Sequence, residues 1–257
     1  MKKKGLIVIG VVFFILIIDQ LVKIWVKTSF DYQETQSLID GFIQLRYIEN
    51  RGMAFGSTLG DGALPKYVLS LFRFVACIAI AFYIRSLIKK PNIKMGFLIA
   101  LGLIFSGALG NLIDGMFYDF FFELDDSVLT NLMEDPEFKG QFLTDDKGEF
   151  IMRESGFLLG SVVDMFQFTA RWPEWMPYVG GGDIFPPIFN VADVAISSGV
   201  GLIILKQKSF FPRENNSSWS LFKKKKVAVS DEETIVEEVT SESNIEEVVE
   251  DKLQENS

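Results

Sequence analysis

The chain has 257 residues, 49% of them hydrophobic, with a formal net charge of −9, a single cysteine and no histidine. The absence of histidine excludes Ser-His-Asp and Cys-His catalytic sites, zinc helices and histidine metal ligands, and the lone Cys77 excludes disulfides within the chain and thiolate metal clusters. The acidic excess comes mostly from one insert and from the C-terminal tail, and nothing resembles a basic nucleic-acid footprint. Any hydrolysis must rely on carboxylates or lysine, and carboxylates fit better.

The first predicted element is a transmembrane helix over residues 5–26, which follows three lysines. Lysines before an apolar run are also typical of a secretory signal peptide, but no small-x-small cleavage site follows. About 20 residues suffice to span the hydrocarbon, so we interpret the segment as a retained span. Asp19 and Lys23 share a helix face at i, i+4 and can pair, either as an interfacial salt bridge or as part of a site.

Residues 28–64 are mixed and rich in turns, and within them residues 42–48 alternate like a half-buried strand. The strand leads into a segment that contains Asn50 and Gly52. A short sheet at the membrane surface fits this pattern. On its own, however, the Asn-x-Gly-x-Ala-Phe segment is more often a plain turn and strand.

Three further spans are predicted, over residues 66–87, 95–113 and 188–205. A short basic loop separates the second span from the third, and lysines also precede the first span and follow the fourth. Cytoplasmic loops carry an excess of lysine and arginine, so these three basic segments place both termini in the cytoplasm. The predicted fold class is an all-α polytopic membrane protein with four transmembrane helices and a small surface sheet.

Small residues near the end of the third span allow close helix packing. Asn111 and Asp114 lie there at i, i+3, on one face and at the outer end of the helix, and Gly115 follows as a candidate C-cap. This pattern is typical of a polar helix terminus, and it is also compatible with a place in a site.

An acidic insert with several aromatic residues occupies 116–160, and the topology places it on the exoplasmic side. We expect a folded loop or small subdomain whose acids form a solvated face, because a metal-ligand spacing such as Asp-x-Asp-x-Asp-Gly is missing from its sequence. Residues 1–212 then form one membrane domain that includes this insert. Residues 213–257 are polar and strongly acidic with little to bury, so we expect a disordered cytoplasmic tail.

Two aspartates stand out, Asp164 before a group of interfacial aromatic residues and Asp193 in the first turns of the fourth span, one turn after Asn190. An acid at the start of a membrane helix is costly unless it has a partner or a function. Both are predicted at the outer face, where two nearby carboxylates in a low dielectric have pKa values that split. One could act as a general base toward water while the other donates a proton. Their proximity is a hypothesis, because many residues separate them.

Five blocks resemble those of the lipoprotein signal peptidase (type II signal peptidase) family, in the family's order and at its places relative to four spans. Together they cover nearly all of residues 1–206 apart from the insert. Each block is weak alone, but five in register are highly specific. The blocks are Asp19-Gln20-x-x-Lys23, Asn50-x-Gly52-x-Ala54-Phe55, Gly107-Ala108-Leu109-Gly110-Asn111-Leu112-Ile113-Asp114, Val162-Val163-Asp164 and Phe189-Asn190-x-Ala192-Asp193.

The resemblance implies an aspartyl endopeptidase of the bacterial cytoplasmic membrane that needs no cofactor and no metal. Its substrates would be prolipoproteins that carry a diacylglyceryl group on the cysteine after the signal peptide, and cleavage would fall on the amino side of that cysteine. The implied fold is four transmembrane helices with a small exoplasmic sheet that cradles the substrate. We expect a monomer in contact with membrane lipids and not with nucleic acid.

The same resemblance implies roles for nine residues. Asp164 and Asp193 would form the catalytic pair, and Asp19 and Lys23 would help to shape the site. The other residues expected to support the site or bind substrate are Asn50, Gly52, Asn111, Asp114 and Asn190.

Two features depart from the family pattern. Arginine usually follows the Gly-Asn-x-x-Asp block in the family, but Gly115 stands at that place here. Arg153 or Arg171 could take over the contacts of the missing guanidinium. The acidic insert also lengthens the connection between Asp114 and Asp164. Neither departure touches the proposed pair, so activity remains the expectation.

Two other classes of protein compete with a peptidase. A small transporter could use a membrane aspartate for proton or cation coupling, but its acids would lie near mid-membrane, often within internal repeats. Here the acids cluster at one face and the halves show no repeat. A non-catalytic scaffold could use Asp164 and Asp193 as capping residues, which are common at helix ends.

Overall fold

Four long helices and a three-stranded sheet make up most of the chain that the structure describes, which is residues 2–52, 63–133 and 141–211 of a computed structural model. The expected tail over 213–257, and Ala54 and Phe55 of the second block, lie outside the described residues. The helices are α1 (Lys2–Ser29), α2 (Ala63–Ile88), α3 (Met95–Phe121) and α4 (Val191–Leu205). A short α5 (Gln207–Phe210) follows α4.

Three of these helices, α1, α2 and α3, are long and apolar enough to cross a membrane. The fourth, α4, is apolar but has only 15 residues, which gives a length of roughly 22 Å. Each helix coincides with one of the four predicted spans, and α4 begins three residues later than expected because Asn190 caps it. The prediction of a polytopic helical membrane protein with a small sheet is confirmed.

The outward faces of α1 and α2 carry large apolar side chains that nothing in the described chain covers. Leu6, Phe13 and Phe14 of α1, and Phe72 and Phe82 of α2, are each more than 60% exposed. In water such a surface would be a strong aggregation hazard, whereas hydrocarbon tails solvate it at no cost. The exposed faces are therefore the lipid-facing surface of the bundle.

Helix α3 packs against α1, α2 and α4. Glycines on α3 and α4 allow the backbones of these two helices to approach each other closely. A Cβ at Gly107 of α3 would overlap the carbonyl oxygen of Ala192. A Cβ at Gly199 of α4 would lie 2.6 Å from the carbonyl oxygen of Ala100. Small residues at such an interface allow two backbones to approach. This contact brings the N-terminus of α4 against the polar face of α3, as the small residues of the third span predict.

The sheet is antiparallel with strand order β1-β2-β3. Its strands are β1 (Thr35–Ile39), β2 (Ile43–Asn50) and β3 (Val162–Phe168). The predicted strand over 42–48 is confirmed and extends to Asn50. Ile48 pairs with Asp164, and Asn50 pairs with Val162, so the end of β2 lies beside the start of β3. This register brings two separate sequence blocks together.

An apolar cluster packs the sheet against the end of the helix bundle. It contains buried side chains from α1, α3, β2 and β3, namely Val26, Leu45, Tyr47, Tyr118, Val163 and Met165. Burial of apolar surface is worth about 25 cal/mol per Å², so the cluster fixes the sheet against the helix ends. The opposite end of the bundle holds the N-terminus and the α2–α3 loop, where Lys4 Nζ donates to the carbonyl oxygen of Pro91 at 2.9 Å.

The insert begins with the last turns of α3, which corrects one expectation. Helix α3 continues to Phe121, so Gly115 lies inside the helix and is not a C-cap. Beyond the helix, Arg153 donates to both carboxylate oxygens of Asp119, at 2.7 and 2.9 Å, and to Oδ1 of Asn131 at 3.1 Å. A buried bidentate pair of this kind holds its partners in one geometry. The described part of the insert is therefore a folded loop tied to α3.

Candidate active site

Asp164 and Asp193 meet at a single side chain, the amide of Asn190. Asn190 Nδ2 donates to Oδ1 of Asp164 at 2.7 Å. The Oδ1 atom of Asn190 accepts from the backbone N–H of Asp193 at 3.0 Å, and the backbone N–H of Asn190 donates to Oδ2 of Asp193 at 3.1 Å. The two aspartates come from β3 and from the first turn of α4, so one amide links both elements.

The local fold of Asn190 and Asp193 is a capping box. The first amides of a helix lack intrahelical partners, and here the side chain of Asn190 satisfies the N–H of Asp193 while the carboxylate of Asp193 satisfies the N–H of Asn190. Asp19 of α1 accepts the N–H of Ala192 at 2.9 Å. The carboxylate of Asp193 within the first turn of α4 and that of Asp19 against it therefore both lie where the helix dipole favours negative charge.

Two further asparagines orient the aspartate oxygens. Asn111 Nδ2 donates to Oδ1 of Asp193 at 3.1 Å, while its own Oδ1 accepts from Lys23 Nζ at 2.8 Å. Asn50 Nδ2 donates to Oδ2 of Asp164 at 3.0 Å. Each carboxylate thus accepts a bond at both oxygens, which fixes the direction of its remaining lone pairs.

Gly52 holds Asn50 in place. Its N–H donates to Asn50 Oδ1 at 2.7 Å. Its φ is +99°, a conformation that L side chains rarely adopt, and a Cβ there would overlap the side chain of Leu69 on α2. Glycine is therefore the residue that this turn requires.

A charged cluster lies behind the asparagines. Lys23 Nζ is 2.9 Å from Oδ2 of Asp19 and 2.7 Å from Oδ2 of Asp114, and all three side chains are fully buried. Gln20 Nε2 donates to Oδ1 of Asp114 at 2.9 Å. The predicted pair of Asp19 and Lys23 is present, and it is part of this interior cluster and not an interfacial salt bridge. Asp114 likewise lies in the interior and not at a polar helix terminus.

The surroundings of the two aspartates differ. Asp164 is only 4% exposed, and burial, followed by the nearby charge of Asp193, raises its pKa to about 7 despite the amides of Asn50 and Asn190. Asp193 is half-buried at the N-terminus of α4. Near neutral pH the site can therefore hold a proton on Asp164. A carboxyl group that keeps its proton beside a second aspartate can take part in general acid–base chemistry.

The nine predicted site residues form one continuous network of hydrogen bonds and ion pairs. Their roles remain predictions, but the structure brings all of them together. Gln20 and the N–H of Ala192 also belong to the network, although the sequence pattern predicts no separate role for either. The position of Gln20 beside Asp19 in the first block was an indication that it belongs to the site.

The two candidates for the missing guanidinium lie elsewhere. Arg153 is engaged by Asp119, and the side chain of Arg171 is 72% exposed, with its Nε 3.5 Å from Asp183 Oδ1. Neither contacts Asp114 or the aspartate pair in the described chain, and whether one of them takes over the contacts of the missing guanidinium stays a prediction. A different arginine, Arg73 of α2, has the aspartates within electrostatic range.

Lipid-facing helices with a carboxylate pair at one end define a multi-pass membrane protein with the groups needed for hydrolysis. A family model described as signal peptidase (SPase) II matches residues 11–209. The lipoprotein signal peptidase of Porphyromonas gingivalis is 35% identical over 207 residues, which cover 79% of this chain and 82% of that protein. Similar relatives occur in Amoebophilus asiaticus (30% over 215 residues; 81% and 80% covered) and Fusobacterium nucleatum (38% over 200 residues; 78% and 84% covered).

The chain therefore belongs to the signal peptidase II family. It is a multi-pass protease of a bacterial membrane. Of the three classes that the sequence left open, these comparisons support the peptidase.

Proposed function

We propose that the chain is an aspartyl endopeptidase that removes signal peptides from diacylglyceryl-modified prolipoproteins, cutting on the amino side of the lipidated cysteine. The observation that carries this proposal is the pair of Asp164 and Asp193, bridged by Asn190 at one end of a lipid-facing bundle. The family relatives are named lipoprotein signal peptidases. That name supports the substrate class, and the pair supplies the chemistry.

The mechanism follows from the unequal surroundings of the two acids. Asp193, at the start of α4, takes a proton from a water molecule, which attacks the scissile carbonyl carbon. Asp164 donates its proton to the carbonyl oxygen, so that a tetrahedral diol forms without a covalent enzyme intermediate. The diol then collapses as Asp193 protonates the leaving nitrogen of the cysteine, and Asp164 recovers a proton from a diol hydroxyl. Both acids return to their starting states.

The supporting residues hold the side chains of Asp164 and Asp193 in fixed positions. Asn190 and Asn50 donate hydrogen bonds to Asp164. Asn111 accepts a hydrogen bond from Lys23 and donates one to Asp193, so that Lys23 helps to fix the position of Asp193. Because these groups donate from fixed elements, little reorganisation is needed when charge moves between the acids. We assign all seven supporting residues to this positioning function.

The proposed orientation places the sheet and the site on the exoplasmic side. The N-terminus and the α2–α3 loop lie at the opposite end of the bundle, where Lys4 contacts the loop carbonyls of Lys90 and Pro91. Lysine-rich ends face the cytoplasm, so both termini are cytoplasmic. The complete network occurs within one chain, which supports a monomer as the active unit.

The test is cleavage of a purified preprotein with and without the diacylglyceryl group, in liposomes containing the enzyme. We expect cleavage of the lipidated form alone, and mass spectrometry should find the lipidated cysteine at the new N-terminus. EDTA should leave the rate unchanged. Equal cleavage of the unlipidated preprotein would contradict the substrate class, and loss of the rate in EDTA that added metal restores would contradict the metal-free carboxylate mechanism.

The pH dependence of cleavage offers a second test. Asp164 must carry a proton, and its pKa is raised to about 7, so kcat/KM should fall as the pH rises through about 7. Once that proton is lost, the decrease should approach tenfold per pH unit. The measurement is kcat/KM from pH 5 to 9 with a substrate that has no titrating group in this range. A profile flat to pH 9 would contradict the assignment of Asp164 as the proton donor.

A further inference from the structure

The inward stripe of α2 is polar at the end near the site. Lys66, Ser70, Arg73 and Cys77 follow one another at helical spacing, and all but the half-buried Arg73 are buried. Farther along, the same stripe continues with apolar residues such as Ile84. A guanidinium on a membrane helix is expensive without a partner or a function. Arg73 therefore requires an explanation that lipid contact does not give.

No partner in the described chain fully satisfies the guanidinium of Arg73. Its Nη1 atom is buried and has no hydrogen-bond partner among the described residues. Its Nη2 atom lies against the turn after β2, where a Cβ on Gly52 would be 3.8 Å away. Gly52 bonds to Asn50, and Asn50 bonds to Asp164. The guanidinium is thus adjacent to the residues that hold one acid of the pair.

The carboxylates of the site face Arg73 without pairing with it. Asp193, Asp164 and Asp114 all lie within electrostatic range of the guanidinium. None of the three forms a direct ion pair with it, and among the described residues the ion pair of Asp114 is with Lys23. The guanidinium thus lies near the acids without an ion pair to them. A substrate peptide that reaches the acids would pass close to it.

Two other cations near the site are already held in ion pairs. Lys23 pairs with Asp19 and Asp114, and Arg153 pairs with Asp119. On α3, Gly115 has no side chain to offer, and its Cβ position faces Ser70 of α2 at 3.7 Å. Arg73 of α2 is therefore a guanidinium near the site for which no ion pair is described.

We infer that Arg73 binds the substrate by donating from Nη1 to a main-chain carbonyl oxygen of the peptide next to the scissile bond. This inference rests on the proposed peptidase function. A planar guanidinium presents donors in a fixed fork, and a peptide carbonyl needs such a donor once it leaves water. Binding then satisfies an Nη1 atom that is buried and has no hydrogen-bond partner among the described residues beforehand. The contact forms in the ground state and persists in the transition state, so it acts mainly on KM.

The experiment compares Arg73→Gln and Arg73→Lys with Arg85→Gln, an exposed arginine at the far end of α2. With a lipidated peptide substrate in micelles, Arg73→Gln should raise KM about 10- to 100-fold, as expected for a hydrogen bond to a charged group, with kcat within about threefold. Arg73→Lys should give an intermediate KM, because lysine keeps the charge but loses the fork. Arg85→Gln should match the wild-type enzyme.

Direct binding separates this inference from the proposed function. Asp193→Asn protein should bind the lipidated peptide without cutting it, and adding Arg73→Gln should weaken that binding by the same factor as KM. Unchanged KM and binding in folded Arg73 variants would overturn the role of Arg73 and leave the peptidase proposal intact. If Arg73→Gln fails to fold, a wild-type KM in Arg73→Lys overturns it instead. Cleavage by Asp193→Asn would count against the aspartate pair itself.

Discussion

Asparagine in place of Asp193 should lower the rate of signal-peptide removal by roughly 100- to 10,000-fold, the range that general acid–base groups contribute. The variant loses the base that activates water. Its fold should persist, because the asparagine oxygen can still accept the N–H of Asn190, as Asp193 Oδ2 does. One bond to Asn111 is lost if the new amide faces Nδ2 of that residue, at a cost of about 1 kcal/mol.

Single-turnover cleavage of a lipidated preprotein measures this effect without interference from product release. Asp183→Asn is the matched control, because Asp183 is a partly exposed acid that pairs with Arg171 away from the site. Asp164→Asn should lower the cleavage rate by a similar factor. The double variant should be little slower than either single variant, since the effects of residues that act as a unit are not additive. A wild-type rate in Asp193→Asn would refute the proposed mechanism.

Much of the fold was predictable because the membrane restricts the choices. Apolar stretches of about 20 residues can span hydrocarbon only as helices or barrels, so the first three spans coincide with α1, α2 and α3. The strand around Leu45 was visible as an alternation with period two. The strand β3 was not predicted, because Val162 to Met165 are all buried and a short continuous apolar run does not distinguish a strand from a helix.

The prediction for Asp114 and Gly115 shows where local pattern fails. A polar residue followed by glycine at the end of an apolar run is typical of a helix terminus, yet α3 continues to Phe121. The helix can continue past Asp114 because the buried carboxyl group of this residue pairs with Lys23 on a neighbouring helix. That partner is 91 positions away in the sequence, so local propensity could not reveal it.

The members of the site were predictable, but their connections were not. Sequence blocks identified Asn50, Asn111 and Asn190 as polar residues near the acids. That one amide would bridge Asp164 and Asp193 depends on how β3 and α4 meet. The sequence did not predict that Arg73 lies near the pair, because only the three-dimensional arrangement places it there.

The buried cluster of Asp19, Lys23 and Asp114 predicts the largest effect on stability. Lys23→Met leaves the fully buried carboxyl groups of Asp19 and Asp114 without the cation that pairs with both of them. Breaking such a pair on one side typically costs about 3–5 kcal/mol. The hydrogen bond from Lys23 to Asn111 is lost as well. We therefore expect the Lys23→Met protein to unfold at a much lower mole fraction of sodium dodecyl sulfate than the wild-type protein.

The measurement is an unfolding titration with sodium dodecyl sulfate in mixed micelles, and Lys89→Met is the control, because Lys89 is exposed at the opposite end of α2. The control should unfold with the wild-type midpoint. Combining Lys23→Met with Asp114→Asn should recover part of the loss, since one carboxylate is neutralised while Asp19 keeps its bond to the N–H of Ala192. Recovery would show that the uncompensated charge, and not the volume of the lysine, causes the instability. A wild-type midpoint in Lys23→Met would mean that the carboxylates take up protons at little cost, and the cluster would then contribute geometry to the site without contributing stability.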